Sequence, residues 1–137
     1  MNLNFGLHGN LRRVVCTECN YSAHRETCET FAKLPRCPQC DAILRPDIVL
    51  YGEDLPMNVL GAFRNEQRKG FDLVFSVGTT SLFLYVIEPI VTAARRGTPV
   101  VEINPDTTPV SEMADFRFAG PAGETLRRLV QAAAIEP

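Results

Sequence analysis

Cys16-Thr17-Glu18-Cys19 and Cys37-Pro38-Gln39-Cys40 are two Cys-x-x-Cys knuckles separated by seventeen residues, a spacing with which a polar loop closes round one tetrahedral metal ion. Four thiolates leave no coordination position open, so zinc held by Cys16, Cys19, Cys37 and Cys40 is structural and does no catalysis. The competing readings are a redox dithiol or four buried thiols. Cys28, midway between the knuckles, reads as a plain thiol, and His24 as an exposed polar residue, although imidazole can replace a sulfur ligand. In Leu7-His8-Gly9-Asn10, the imidazole of His8 is a side chain of the kind that serves as a general base, and the glycine after it lets backbone or ligand come close. A packed or solvated His8 is the plainer alternative. Glu53, in Tyr51-Gly52-Glu53, either anchors a loop or a substrate or is a solvated turn residue.

Elements must hold these groups in place. Residues 1–15 form a short mixed segment carrying His8. Residues 16–45 are polar, lack hydrophobic periodicity and cannot bury much without a metal. From 46 to 137 apolar runs alternate with helical patterns, the sign of strands joined by crossover helices. Met57 to Lys69 is a helix with Val59, Leu60 and Phe63 on one face and Gly70 at its end. Asp72 to Val77 is a strand covered on both faces, and Val86 to Arg96 a helix with Pro89 near its first turn and Gly97 as terminator. Pro99 to Ile103 and Phe116 to Ala119 are strands. Pro121 starts a last helix burying Leu126, Leu129 and Val130. The aromatics Phe63 and Phe71 belong to the core. The fold expected is α/β, a partial doubly wound parallel (Rossmann-like) sheet with a small four-cysteine zinc-ribbon module. In such a sheet, ligands bind outside the carboxyl ends of the strands. The loops 78–81 and 104–109 follow strand ends and fall on that edge, where Gly, Thr, Ser and Asn suit a ribose and a base; ordinary turns are the other reading.

The chain has 137 residues, 45% of them apolar and 22% charged, as in ordinary globular domains. Fourteen Lys and Arg against sixteen Asp and Glu give a net charge of −2, with no basic field for nucleic acid. No apolar stretch reaches the ~20 residues of a membrane span, and the first residues lack a signal peptide's blocks, so the expected location is cytoplasmic. Five cysteines without an export signal argue against a disulfide framework.

His8-Gly9, the paired knuckles, Arg45-Pro46-Asp47-Ile48-Val49-Leu50-Tyr51-Gly52-Glu53, then Val77-Gly78-Thr79-Thr80-Ser81, and Glu102-Ile103-Asn104-Pro105 stand in the order found in sirtuins. Over nearly its whole length the chain resembles the carboxyl-terminal half of a sirtuin catalytic domain. That resemblance implies an NAD-dependent protein-lysine deacylase, which moves an acyl group from lysine to ADP-ribose and releases nicotinamide. It implies that His8 is the catalytic base taking a ribose hydroxyl proton, and that Ile48, Val49 and Tyr51 line an acyl-lysine tunnel. The segment round these residues and the stretch after Ser81 would flank the acylated peptide as neighbouring strands. It further implies that Gly78, Thr79, Thr80, Asn104, Pro105, Asp106 and Ala122 hold the adenosine of NAD, beside a structural zinc ion.

The departures are as informative. The family's Gly-Ala-Gly diphosphate loop, its flexible Pro-Asp-Phe-Arg-type loop and its Gln-Asn-Ile-Asp segment do not occur, and Gly6 stands where the family commonly has Glu. A backbone-amide anion site is therefore missing, and with it most of the expected dinucleotide affinity. The expectation is a truncated enzyme with little activity alone, completed by a missing amino-terminal half or a partner chain. The alternative is a zinc-containing interaction module without turnover.

Overall fold

The computed structural model of the chain describes residues 4–25 and 34–134; Cys28 lies outside them. Contacts divide the chain into two units, Met1–Asn65 and Glu66–Pro137.

The first unit contains an antiparallel sheet that hydrophobic periodicity did not announce. Strands β1 (Gly9–Cys16), β2 (Ser22–His24) and β3 (Leu44–Ile48) pair in the order β2-β1-β3. In β1 an arginine pair separates Leu11 from Val14 and Val15, so apolar and polar residues do not alternate. Only Val14, opposite both Ala23 and Pro46, is buried in that strand. Pro46 is accommodated because β3 is an edge strand and its missing N–H costs no ladder bond on the open side. Asn10 faces Asp47 and Val14 faces Pro46, so three residues of β1 bulge out between them; the Asn10 side chain accepts the Arg12 N–H at 2.8 Å within this bulge. Helix α1 (Met57–Lys69) has the expected bounds. Leu60 is buried, Val59 and Phe63 half-buried, and the Phe63 ring meets Phe5 edge-on at 5.9 Å. Val14, Cys37 and Leu60 are the buried apolar residues described in this unit, a core too small to account for its fold without further bracing.

The second unit runs β4 (Val74–Val77), α2 (Leu84–Arg95), β5 (Val100–Ile103), β6 (Phe116–Phe118) and α3 (Ala122–Ala133). This is the expected order of strand, helix, strand, strand, helix, and the strands form a parallel sheet β4-β5-β6. Val100 and Val110 pack with Ile90 and Ala93 of α2 as the core. Helix α2 ends in a Schellman turn: Thr98 N–H reaches the Ala93 carbonyl and Gly97 N–H the Ala94 carbonyl, both at 3.0 Å, with Gly97 at φ +73°.

Four expectations are corrected. The strand covered on both faces is β5, all four of whose residues are buried, whereas Leu73 and Phe75 are 48% and 47% exposed because no described element packs extensively over the face of β4 that carries them. Phe71 is exposed, not core. Helix α2 begins two residues earlier than expected, so Pro89 lies inside it, where it has no N–H for the carbonyl four residues back. No residue of α3 is buried: Leu126 and Val130 are exposed and Leu129 half-buried, since no strand or helix described packs extensively over that apolar face.

Candidate functional site

The metal site is built by two tight turns of the same design. Cys16 ends β1, and the backbone N–H of Glu18 points back at its sulfur at 3.4 Å. In the second knuckle the Gln39 N–H reaches Cys37 Sγ at the same 3.4 Å. Asp41 takes up φ +60° to reverse the chain, and Cys37 N–H closes the turn on the Ala42 carbonyl at 2.7 Å. Thr17 joins the knuckles: its N–H and its hydroxyl both donate to the Ile43 carbonyl, at 3.1 and 3.2 Å. The result brings the sulfurs of Cys16, Cys19, Cys37 and Cys40 within 4.8 Å of one another. Cys16–Cys40, Cys19–Cys40 and Cys19–Cys37 are 3.4, 3.5 and 3.6 Å apart. A tetrahedron with bonds of about 2.3 Å has edges of ~3.8 Å, so the cluster fits one zinc ion.

The thiol chemistry agrees. The Glu18 N–H is the main cause holding the Cys16 thiol down to about 6. Cys40 has the Ala42 N–H in favour of its thiolate, yet the surrounding sulfurs and lost solvation push it up to about 12. Four sulfurs this close cannot all ionise unless a cation sits between them. His24, exposed at the end of β2, is not in the cluster.

At the other end of β1 from Cys16, His8, Gly9, Asn10, Leu11, Arg12, Ile48 and Val49 line one open groove of about 590 Å³. His8 is exposed there, and its backbone carbonyl accepts the Val49 N–H at 3.0 Å. The chain can approach itself so closely only because residue 9 is glycine. A Cβ on Gly9, at φ +83°, would lie 2.0 Å from the Asp47 carbonyl oxygen. Three residues singled out from the sequence, His8, Ile48 and Val49, thus share one groove. Tyr51 does not line it; it stands at a turn, 98% exposed.

Arg45 and Glu53 fix that turn. The guanidinium holds the carboxylate through both oxygens, one contact measuring 2.9 Å, and also donates to the Ile48 carbonyl at 2.8 Å. Glu53 accepts the Leu50 N–H at 2.9 Å as well. Arg45, then the Leu50 amide, lowers the Glu53 carboxyl to about 2. Glu53 is therefore a loop anchor, one of the readings the sequence left open. Arg45 was not singled out: a charge pair eight residues apart has no periodic signature, and only the fold selects which opposite charges meet.

In the second unit the loops 78–81 and 104–109 do share an edge. Val77 and Ile103 end their strands in register, and Gly78 N–H continues the ladder to the Ile103 carbonyl at 2.9 Å. The Asn104 carboxamide donates to the Thr79 carbonyl at 2.8 Å, while its oxygen accepts the Asp106 N–H at 3.1 Å. Gly78, Thr80, Pro105 and Asp106 are exposed on this edge, and Thr79 is half-buried. Ala122, half-buried, opens α3 just after β6, whose Phe118 carbonyl accepts the Asn104 N–H at 3.1 Å. Ser81 takes φ +52° and is 2% exposed, and its hydroxyl has no partner within the described chain.

The model of the Sir2 family matches residues 3–85. The chain belongs to the Sir2 family. Among its relatives, "NAD-dependent protein deacylase 1" of Archaeoglobus fulgidus is 38% identical over 91% of this chain and 51% of its own length. A solved Sir2 homologue in complex with NAD is 36% identical, with TM-score 0.84 over 95% of this chain and 50% of that one. A mutant Sir2 homologue in complex with 2′-O-acetyl ADP ribose is 37% identical, with TM-score 0.85 over 95% and 52%. The chain thus has the α/β fold of Sir2 proteins and spans about half the length of the relatives it matches. Among the described residues no helix is long and apolar enough to cross a membrane.

Proposed function

We propose that this Sir2 chain is the carboxyl-terminal half of the catalytic domain of an NAD-dependent protein-lysine deacylase, acting in the cytoplasm on acylated protein or peptide. Residues 1–15 would carry the base, 16–45 the zinc module and 46–137 half of the NAD-binding domain. The observation that carries this reading is an exposed imidazole, His8, in one groove with Ile48 and Val49, in a chain 38% identical to a named deacylase.

In this reading a nitrogen of the His8 ring accepts a proton from a ribose hydroxyl, and the strand pairing at Val49 and Gly9 keeps the ring at the groove. Ile48 and Val49 give the acyl-lysine chain an apolar wall, and Tyr51, exposed on the turn anchored by Arg45 and Glu53, would meet that chain from outside the groove. Gly78, Thr79, Thr80, Asn104, Pro105, Asp106 and Ala122 hold the adenosine; the unpartnered Ser81 hydroxyl and the exposed turn residues beside it supply the polar groups such a ligand needs. NAD, when bound, supplies an electrophilic ribose carbon and nicotinamide as leaving group. Cys16, Cys19, Cys37 and Cys40 hold zinc that braces the first unit and takes no part in the reaction. The open edge of β4 and the match to half of each relative support completion by a further segment, in the same polypeptide or in a partner chain, that supplies the diphosphate site.

The test is nicotinamide release from NAD by the polypeptide that naturally carries this chain. Release should require an acyl-lysine peptide and vanish in His8→Ala; an equal rate in the variant removes the assigned base. Spanning half of its relatives also favours a second reading, a zinc-braced binding module without turnover. Zinc retention and partner binding, with a melting temperature that NAD leaves unchanged, would select it.

A further inference from the structure

Among the described residues of the second unit, Glu102 is the fully buried acid, 0% exposed in the middle of β5. A carboxylate in such a place persists only if hydrogen-bonded donors replace its water. Three side chains do so. Thr108 donates to one oxygen; Ser111 donates to the other at 2.6 Å, as does Arg117 Nε at 3.2 Å. The donors are themselves tied to the turn. Thr108 N–H donates to Ser111 Oγ at 2.9 Å, Val110 N–H to Thr108 Oγ1 at 3.1 Å, and Arg117 Nη2 to Thr107 Oγ1 at 3.2 Å. One carboxylate therefore gathers both the far half of the loop that follows Asn104 and the neighbouring strand β6.

The near half of that loop is held differently. Asn104 reaches across to Thr79 and back to Asp106, and its own N–H continues the ladder to β6. Residues 105–107 are exposed and span the two anchors. With Glu102 in place both ends are fixed; without it Thr108 and Ser111 at the far end, and Arg117 on β6, lose the acceptor on which they converge.

We infer that Glu102 is a positioning residue for the adenosine loop, setting the presentation of Asn104 and Asp106 without touching the ligand. This rests on the reading of that loop as the adenosine site. Glu102→Gln is isosteric but presents an NH2 group where the carboxylate accepted hydrogen bonds, so the network loses at least one bond to a charged acceptor. In the natural polypeptide, titrated with ADP-ribose, the variant should bind about tenfold more weakly. The KM for NAD should rise by a similar factor with kcat within about twofold, since the interaction is made equally in ground and transition states. Amides of Asp106, Thr108 and Val110 should exchange with solvent faster than in the parent. Ser111→Ala, which removes one of the three donors and is less prone to unfold the sheet, should show the same pattern at about threefold. Ile90→Val, a core change remote from the loop, should lower the melting temperature but leave ADP-ribose affinity unchanged.

ADP-ribose affinity within twofold of the parent in both Glu102→Gln and Ser111→Ala overturns the inference. So does an equal loss in Ile90→Val at a matched fall in melting temperature. Failure of the parent itself to bind ADP-ribose overturns the adenosine reading along with it, whereas a parent that binds and variants that bind equally well overturn the positioning role alone.

Discussion

His8 and Glu53 both stand at the margin of β3 within reach of water, and what each touches gives them different work. His8 offers a ring at an open groove, and its backbone carbonyl separately holds the pairing with Val49. In an assay of peptide-dependent nicotinamide release, His8→Ala should lose about a hundredfold or more, the usual worth of a positioned base. Glu53 is spent on structure: Arg45 and the Leu50 amide hold its carboxyl at about 2, below the ordinary 4.5. A depressed folded-state value means that the folded state favours the ionised form. The stabilisation is then complete above the ordinary value and is lost as pH falls from about 5 towards 2. The difference in unfolding midpoint between the parent and Glu53→Gln should therefore be widest near neutrality and close over that range; a difference independent of pH would show that the ion pair is not its source.

Single positions also decide whether whole elements can pair. At Gly9 a side chain meets both a positive φ and the Asp47 backbone. Gly9→Ala should cost about 2 kcal/mol or more, read as a lowered denaturant midpoint, by forcing β1 away from β3. Gly97 has open space for a Cβ, so Gly97→Ala bears only the left-handed backbone penalty, about 1 kcal/mol. The contrast between the two measurements separates collision from conformational cost. The β1–β2–β3 sheet has few buried apolar residues and is closed at one end by the sulfur cluster. Chelation should therefore speed amide exchange in Val14, Val15 and Ala23 first, while Val101 and Ile103 in the buried strand β5 stay protected longer. A zinc-free protein with unchanged exchange in the first group would remove the bracing role.

For the molecule as a whole, the consequence lies in what is left uncovered. Strand β4 ends the sheet, Leu73 and Phe75 are about half exposed, and Val130 on α3 is 67% exposed. An open, apolar edge strand templates further pairing. The chain studied alone should self-associate with rising concentration in sedimentation experiments, and Phe75→Lys should shift it towards monomer; unchanged association in that variant would place the sticky surface elsewhere.

How much of this was legible beforehand follows from which forces are local. The four thiols, their closed ligand set and the strand–helix order after residue 46 could be read off spacing and 3.6- or 2-residue periods, as could helix 57–69 and the terminating role of Gly97, because each depends on neighbours along the chain. The sheet β2-β1-β3 could not, since β1 is held by register with distant segments and a bulge breaks its alternation. Nor could the Arg45–Glu53 clamp or the burial of Glu102: many oppositely charged or hydrogen-bonding pairs are possible along the chain, and only folding brings particular ones together. The exposure of α3 was misjudged for the same reason, because an amphipathic pattern states that a face is apolar and not what lies over it. Sequence by itself determined the ligand set, the family and the order of elements; tertiary structure decided which distant groups meet, because those contacts depend on chain packing that leaves no period in the sequence.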